Sequence, residues 1–260
     1  MSTLFTGISE LRTVSERGTL NDAALVAESG TISWIGPASE APAADEKVDL
    51  GGRAVLPGWV DSHTHMVFDG DRSAEFEARI SGGSYEAGGI AVTMDATRQA
   101  GTDRLDKLVA DRVAAGRRGG TTTFETKTGY GLNTESEVEA AKVASRHVDD
   151  VTFLGAHLVP PGADAEDYLD EVVGPMLEGV APYVQWIDVF CERGAFNEEQ
   201  SRRVLEAGKK LGLGLRVHGN QLGEGPGVAL AVELGAASVD HVNHLSDEDV
   251  ELLANSDTVA

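Results

Sequence analysis

Two histidines separated by one residue give the clearest chemical pattern in this sequence, in the segment Pro57-Gly-Trp-Val-Asp-Ser-His63-Thr-His65. On an extended segment, the side chains at positions i and i+2 point to the same side. Two neutral imidazoles on one side can share a metal ion, and zinc and iron both accept this ligand. Two surface histidines would give the same spacing. The position directly after a short apolar run favours the metal site.

His218 is the third candidate ligand, because it directly follows the apolar run 213–217. A single histidine at such a place is more often a hydrogen-bonded core residue, but this one would face the same side as the first pair. His157 and His241 also follow apolar runs. Three protein ligands leave a catalytic metal an open position for water. We therefore predict that His157 and His241 serve the substrate or the attacking water.

Other reactive residues give weaker signals. Cys191 could act as a thiolate nucleophile, but no histidine lies near it in the sequence, and a small buried strand residue is the favoured interpretation. Lys127 lies in a threonine- and glycine-containing segment whose spacing does not match a phosphate-binding P-loop. Neither residue is predicted to carry the chemistry.

The elements that must position the histidines are strands alternating with helices. From Val55 onward, short apolar runs alternate with segments of helical period, which indicates repeated β-α units and a parallel sheet. The strand candidates are Trp59–Asp61, Thr121–Glu125, Val151–Ala156, Gln185–Phe190, Leu213–Val217 and Ala237–Asp240. Such a sheet is either doubly wound or closed into a barrel.

Six polar residues decide between these two architectures, because each lies at or just after the end of a different strand candidate. They are His63, Glu125, His157, Glu192, His218 and His241. All strand ends of a barrel meet at one mouth, whereas a doubly wound sheet uses only the strands near its switch point. We therefore predict an α/β fold of the (β/α)8 TIM-barrel type, with about six of its eight strands present.

The predicted domains are a small N-terminal β-domain in residues 1–55 and an incomplete hydrolase barrel in residues 56–260. Helix starts are predicted at Asn197 and at two capping boxes, Thr134 with Glu137 and Ser246 with Asp249.

The composition narrows the class of protein. The formal charge is −22, which repels phosphate backbones, so no nucleic-acid partner is expected. No apolar stretch approaches the length that spans a bilayer, and the first ten residues do not resemble a signal peptide. Cys191 is the single cysteine, which fits a reducing compartment. A cytoplasmic protein without a membrane partner is therefore expected.

The motifs together resemble the imidazolonepropionase family, which consists of amidohydrolases of histidine degradation. The resemblance covers most of the chain and rests on PGWVDSHTHMVFDGDR, ETKTGYGL, VTFLGAHLVPP, DVFCERGAFN, RVHGNQL and SVDHVNHL. It implies hydrolysis of the cyclic C–N bond of 4-imidazolone-5-propanoate to N-formimino-L-glutamate. It also implies one zinc or iron ion on a β/α barrel, with a fourth ligand beyond the barrel strands present here, and a homodimer.

The resemblance assigns a role to each candidate residue. The metal ligands would be His63, His65 and His218; the substrate contacts would be Arg72, Tyr85, Tyr130, His157 and Gln221; His241 would lie beside the attacking water. Gln221 stands where some members have glutamate, and an amide can orient a group but cannot take its proton.

Three further expectations follow from the sequence. The fourth strand has no lysine of the kind that bridges two metals, so one metal is expected. The alternatives are another mononuclear amidohydrolase, such as a nucleobase or cyclic-amidine deaminase, and a non-catalytic binding protein. With only six strand candidates, residues 1–260 alone are expected to be inactive and prone to associate through unpaired strand edges.

Overall fold

The computed structural model describes residues 1–82 and 89–260. The chain divides into two compact units, Met1–Trp59 and Val60–Ala260. The division into domains at residues 1–55 and 56–260, which was predicted from the sequence, stays a prediction.

The first unit is a four-stranded sheet with the order β3-β2-β1-β4. The strands are β1 (Ser2–Arg12), β2 (Thr19–Glu28), β3 (Thr31–Pro37) and β4 (Glu46–Val55). β1 pairs antiparallel with β2 and parallel with β4, and β2 pairs antiparallel with β3. β1 and β2 contribute to two small apolar clusters, one with Ile8, Leu11 and Leu25 and the other with Leu4 and Val26. Ala23 to Val26 are buried at four consecutive positions, so β2 is covered on both faces in its middle.

The second unit contains a six-stranded sheet whose strands follow one another in chain order, which confirms the predicted fold class. They are β5 (Trp59–Asp61), β6 (Thr121–Lys127), β7 (Asp150–Ala156), β8 (Trp186–Cys191), β9 (Gly214–Gly219) and β10 (Ser238–His241). The pairs from β6 to β10 are parallel. Val151–Ala156 is buried at every position, as expected for a parallel strand covered on both faces.

Helices connect these strands. They are α1 (Ser73–Ile80), α2 (Gly89–Ala100), α3 (Thr102–Arg118), α4 (Thr134–Ala144), α5 (Ala165–Glu171), α6 (Leu177–Val180), α7 (Glu198–Lys210), α8 (Gly227–Leu234) and α9 (Asp247–Ala254). In the described residues, no helix combines the length and apolar character that crossing a membrane requires.

The predicted helix starts are confirmed at two places and wrong at one. Asn197 caps α7 and Ser246 caps α9, each within a capping box. At α4 the cap is Asn133, whose side chain accepts the Ser136 N–H, so the predicted Thr134–Glu137 box does not form. The Glu137 carboxylate is used by the preceding loop instead, as described below.

The six-stranded sheet is curled, because groups from its two edges meet. His63 lies two residues after edge strand β5, and Asp240 lies on the other edge strand, β10; the His63 Nδ1 and Asp240 Oδ2 atoms are 2.8 Å apart. Arg216 on β9 also donates a hydrogen bond to the Ser62 carbonyl, at 3.1 Å. Val259 pairs in parallel with Ser238 of β10, so the sheet continues past that strand. The result is the half-barrel wall expected from the repeated β-α units.

Candidate metal centre and active site

Three histidines meet at the carboxyl ends of the curled sheet: His63 and His65 lie in the segment after β5, and His218 lies on β9. The ring centroid of His63 lies 5.3 Å from that of His65 and 4.7 Å from that of His218. The centroids of His65 and His218 are 5.6 Å apart. One ring nitrogen of each residue lies within 4.8 Å of the other two, so the three form a candidate metal-binding group. These are the residues predicted as ligands.

The donor set fits a metal ion. The Nδ1 atom of His65 and both ring nitrogens of His218 are buried and have no hydrogen-bond partner. A buried polar atom without a partner is costly, and a bound cation would satisfy it. Loss of solvent, and then the nearby His218, lowers the pKa of His65 well below its ordinary value. The ring is therefore neutral at physiological pH, which is the form that binds zinc or iron.

Two carboxylates lie behind these rings. Asp240 Oδ2 is 2.8 Å from Nδ1 of His63, in a hydrogen bond. Asp188 Oδ2 is 3.0 Å from Nδ1 of His218, a contact that we treat as electrostatic. In the His63–Asp240 pair, the carboxylate keeps the proton on Nδ1 and leaves the lone pair of Nε2 for a metal.

Asp188 is ionised despite its complete burial. Burial by itself raises a carboxyl pKa, but His218 and the Lys127 ammonium outweigh it and hold the pKa of Asp188 well below its usual range. The carboxylate is thus available to orient the His218 ring.

His241 lies beside the three candidate ligands. Its ring centroid is 5.2 Å from that of His63 and 5.0 Å from that of His218. Desolvation, followed by the nearby His218 and His63, lowers the pKa of His241 to about 4, so the ring is neutral at pH 7. Its backbone φ is 79°, in the left-handed region that non-glycine residues rarely adopt. Backbone strain of this kind is often found at functional sites.

His157 and Tyr130 lie on the opposite flank of His65. The His157 ring stacks on His65 with 5.7 Å between centroids, and the Tyr130 ring lies 5.4 Å from His157. Nδ1 of His157 is 2.8 Å from the Gly129 carbonyl, which fixes the proton on Nδ1 and leaves Nε2 as an acceptor. Burial lowers the pKa of His157 to about 4, although the hydrogen bond to Gly129 opposes the shift.

Glu137 organises the loop that carries Tyr130, a role that the sequence did not indicate. Its buried carboxylate accepts the backbone N–H groups of Gly129, Gly131 and Leu132 at 2.7–2.9 Å. Burial raises its pKa, while these hydrogen bonds oppose the rise. Gly129 itself is required, because its φ is 106° and a Cβ there would lie 2.5 Å from the Leu154 carbonyl oxygen.

Comparison with known proteins identifies the family of this chain. No family model matches it. The imidazolonepropionase of Arthrobacter sp. strain FB24 is 66% identical over 98% of the chain and 64% of the relative. The imidazolonepropionase of Saccharopolyspora erythraea is 64% identical over 100% of the chain and 67% of the relative.

The chain belongs to the imidazolonepropionase family. It spans about 64% of the length of the relative from Arthrobacter. The family resemblance stated from the sequence motifs is therefore confirmed.

Solved structures show the same fold at low identity. A Xaa-Pro dipeptidase with bound methionine superposes with a TM-score of 0.67 at 17% identity, covering 99% of this chain and 66% of that one. An adenosine deaminase from Xanthomonas campestris with bound zinc gives a TM-score of 0.63 at 17% identity, covering 98% and 61%. Likeness at this level shows the amidohydrolase-type fold and nothing finer.

The remaining residues that the family resemblance implied are placed as follows. Arg72 is half-buried just before α1, and its charge is one of the smaller contributions to the lowered pKa of His157. Gln221 follows β9, and its backbone N–H donates to the carboxylate of Glu192. Tyr85 lies outside the described residues. The roles of these residues in the imidazolonepropionase family site stay predictions.

Proposed function

We propose that this chain provides the metal centre and most of the substrate site of an enzyme that hydrolyses 4-imidazolone-5-propanoate to N-formimino-L-glutamate in histidine degradation. The observation that carries the proposal is the convergence of His63, His65 and His218 in a chain that belongs to the imidazolonepropionase family. One zinc or iron ion is the proposed cofactor.

The proposed reaction adds water across a ring C–N bond. A divalent ion held by the three histidines would supply Lewis acidity, which lowers the pKa of a water molecule towards about 7. The oxygen of water bonds to the ring carbon, the C–N bond breaks, and the leaving nitrogen takes up a proton. His241 is the neutral ring beside the candidate ligands that can orient the water and hold or move a proton.

The other residues bind and orient the substrate. The Tyr130 and His157 rings form an aromatic wall next to His65, against which a planar imidazolone can lie. Gln221 can accept or donate a hydrogen bond but cannot carry the proton, so we assign it an orienting role. A guanidinium fork at Arg72 would bind the propanoate carboxylate bidentately.

The finer assignments belong to the same proposal. The substrate is a small molecule, and the formal charge of −22 disfavours nucleic acid as a partner. A homodimer is proposed from the family resemblance, and a cytoplasmic location is proposed because the single cysteine, Cys191, fits a reducing compartment.

The direct test is hydrolysis of 4-imidazolone-5-propanoate by the protein that carries this sequence at the full length of its relatives. We expect N-formimino-L-glutamate to form without release of ammonia, as followed by mass spectrometry and an ammonia assay. Ammonia release from a nucleobase or cyclic amidine, with no turnover of the imidazolone, would instead identify a deaminase. A protein that binds metal and turns over none of these compounds would contradict the proposed activity.

Arg72 offers a test of the substrate class. If its guanidinium binds the propanoate, Arg72→Ala should lose about 1.5–3 kcal/mol of substrate binding, the range for a hydrogen bond to a charged group. Arg72→Lys should restore binding only in part, because an ammonium lacks the planar fork. The Michaelis constant measured by steady-state kinetics should rise, while the metal content stays unchanged.

Arg104 provides the matched control, since it is an exposed arginine that forms an ion pair with Asp69. Arg104→Ala should leave the Michaelis constant at the wild-type value. If Arg72→Ala has the same kinetics as Arg104→Ala, Arg72 does not bind the propanoate carboxylate.

A further inference from the structure

A fully buried lysine lies beneath the candidate metal centre. Lys127 is the last residue of β6, and its ammonium lies 3.0 Å from Glu125 Oε1, 3.1 Å from Asp188 Oδ2 and 3.6 Å from Asp240 Oδ2. A charge without solvent is tolerated only when it is paired. Here one buried cation is shared by three carboxylates from three strands, whereas a surface ion pair joins two solvated groups.

The same carboxylates contact the candidate metal ligands. Asp240 accepts from Nδ1 of His63 at 2.8 Å, and Asp188 lies 3.0 Å from Nδ1 of His218. Glu125 accepts the backbone N–H of Thr64, between the two histidines of the pair, at 3.1 Å. A single ammonium is therefore connected, through one carboxylate each, to all the segments that carry the three histidines.

We propose that Lys127 is a positioning residue of the metal centre, whose ammonium holds Asp188 and Asp240 where they orient the His218 and His63 rings toward a shared ion. The inference rests on the proposed metal centre and deepens it. Without the ammonium, three carboxylates that now lie within 3.6 Å of one cation would face one another without a counter-charge, so at least one must turn away. That change removes the partner that fixes a histidine ring.

The direction in which the metal affinity changes when Lys127 is replaced distinguishes a positioning role from a purely electrostatic effect. Removing a positive charge close to a cation site raises the affinity for the metal by Coulomb's law alone. Losing the orientation of two ligands lowers the affinity, and second-shell partners of metal histidines typically contribute about 10–100-fold. The two interpretations thus predict opposite changes for the same substitution.

The experiment is a titration of metal-free protein with Co²⁺ in competition with a chelator, read by the visible absorption of the bound ion. We expect Lys127→Met to bind Co²⁺ about 10–100-fold more weakly than wild type, with altered absorption bands. Lys127→Arg, which keeps the charge, should recover part of the affinity. Lys107→Met, at an exposed lysine paired with Asp111, is the matched control and should bind as wild type does.

A charge-matched variant keeps the test decisive if Lys127→Met fails to fold. Lys127→Met/Glu125→Gln removes one charge of each sign and leaves Asp188 and Asp240 in place. We expect weakened Co²⁺ binding in this variant relative to Glu125→Gln alone, with a cooperative melting transition in both. Affinity equal to or higher than that of the matched reference in folded protein would overturn the positioning role.

The outcomes also distinguish this inference from the proposed function. If the wild-type protein neither binds Co²⁺ nor hydrolyses the imidazolone, the proposed metal centre itself is wrong. If the wild-type protein does both and the Lys127 variants bind Co²⁺ with undiminished affinity, only the proposed role of Lys127 is wrong.

Discussion

In the protein at the full length of its relatives, replacing both His63 and His65 with alanine is expected to abolish stoichiometric metal binding and, with it, the proposed hydrolysis of the imidazolone. The two residues supply two of the three imidazoles whose ring nitrogens lie within 4.8 Å of one another, and His218 alone cannot hold a zinc or iron ion tightly. Metal analysis after dialysis against a weak chelator should give close to one ion per chain for wild type and almost none for the double variant. Activity should fall to the background rate.

His147 is the matched control for the double variant. It is a histidine remote from the centre, with Nε2 3.0 Å from Asp106 Oδ1. His147→Ala should keep both the metal and the activity. A double variant that retains a full complement of metal while folded would show that the ion binds elsewhere and that the assignment of His63 and His65 is wrong.

The strands of the second unit could be predicted from the sequence because their physical signal is local. A strand buried on both faces must be apolar along its length, and Val151–Ala156 shows this directly. The chain order of the strands follows from the short helical connections of repeated β-α units. The periodicity of apolar residues and the residues at the strand ends were therefore sufficient to predict the half-barrel.

The carboxylates behind the histidines could not be predicted in the same way. Asp240 reaches His63 across 177 positions of sequence, and Asp188 reaches His218 only because β8 and β9 lie side by side. An aspartate in an apolar strand has the same local pattern whether it orients a ligand, pairs with a lysine or does neither. Each Asp–His contact depends on the register between strands and on the curvature of the sheet, and the local sequence specifies neither.

Glu137 shows how a correct local rule can give a wrong result. Its spacing from Thr134 matches a capping box, but Asn133 is one residue earlier and accepts the N–H of Ser136. The glutamate is then available to accept three N–H groups of the loop before the helix. The sequence offers two possible N-caps, Asn133 and Thr134, and local spacing alone does not choose between them.

In the same full-length protein, replacing His241 with asparagine is expected to remove most of the proposed hydrolytic turnover while leaving the proposed metal in place. The ring lies about as close to His63 and His218 as these lie to each other, yet three other imidazoles suffice to bind the ion. Losing a positioned acid–base group typically lowers kcat by about 10²–10⁴-fold. Asparagine is the informative substitute, because it tolerates the left-handed backbone at this position better than most residues, so the loss of the ring is separated from backbone strain.

The measurement for His241→Asn combines steady-state kinetics with metal analysis of the same sample. His244, an exposed histidine three positions further along, is the matched control, and His244→Ala should keep wild-type kcat and metal content. If His241→Asn loses the metal together with activity, His241 is a ligand rather than the group that orients water. If it keeps both, the attacking water is oriented by another residue, and the arrangement of His63, His218 and His241 reflects packing alone.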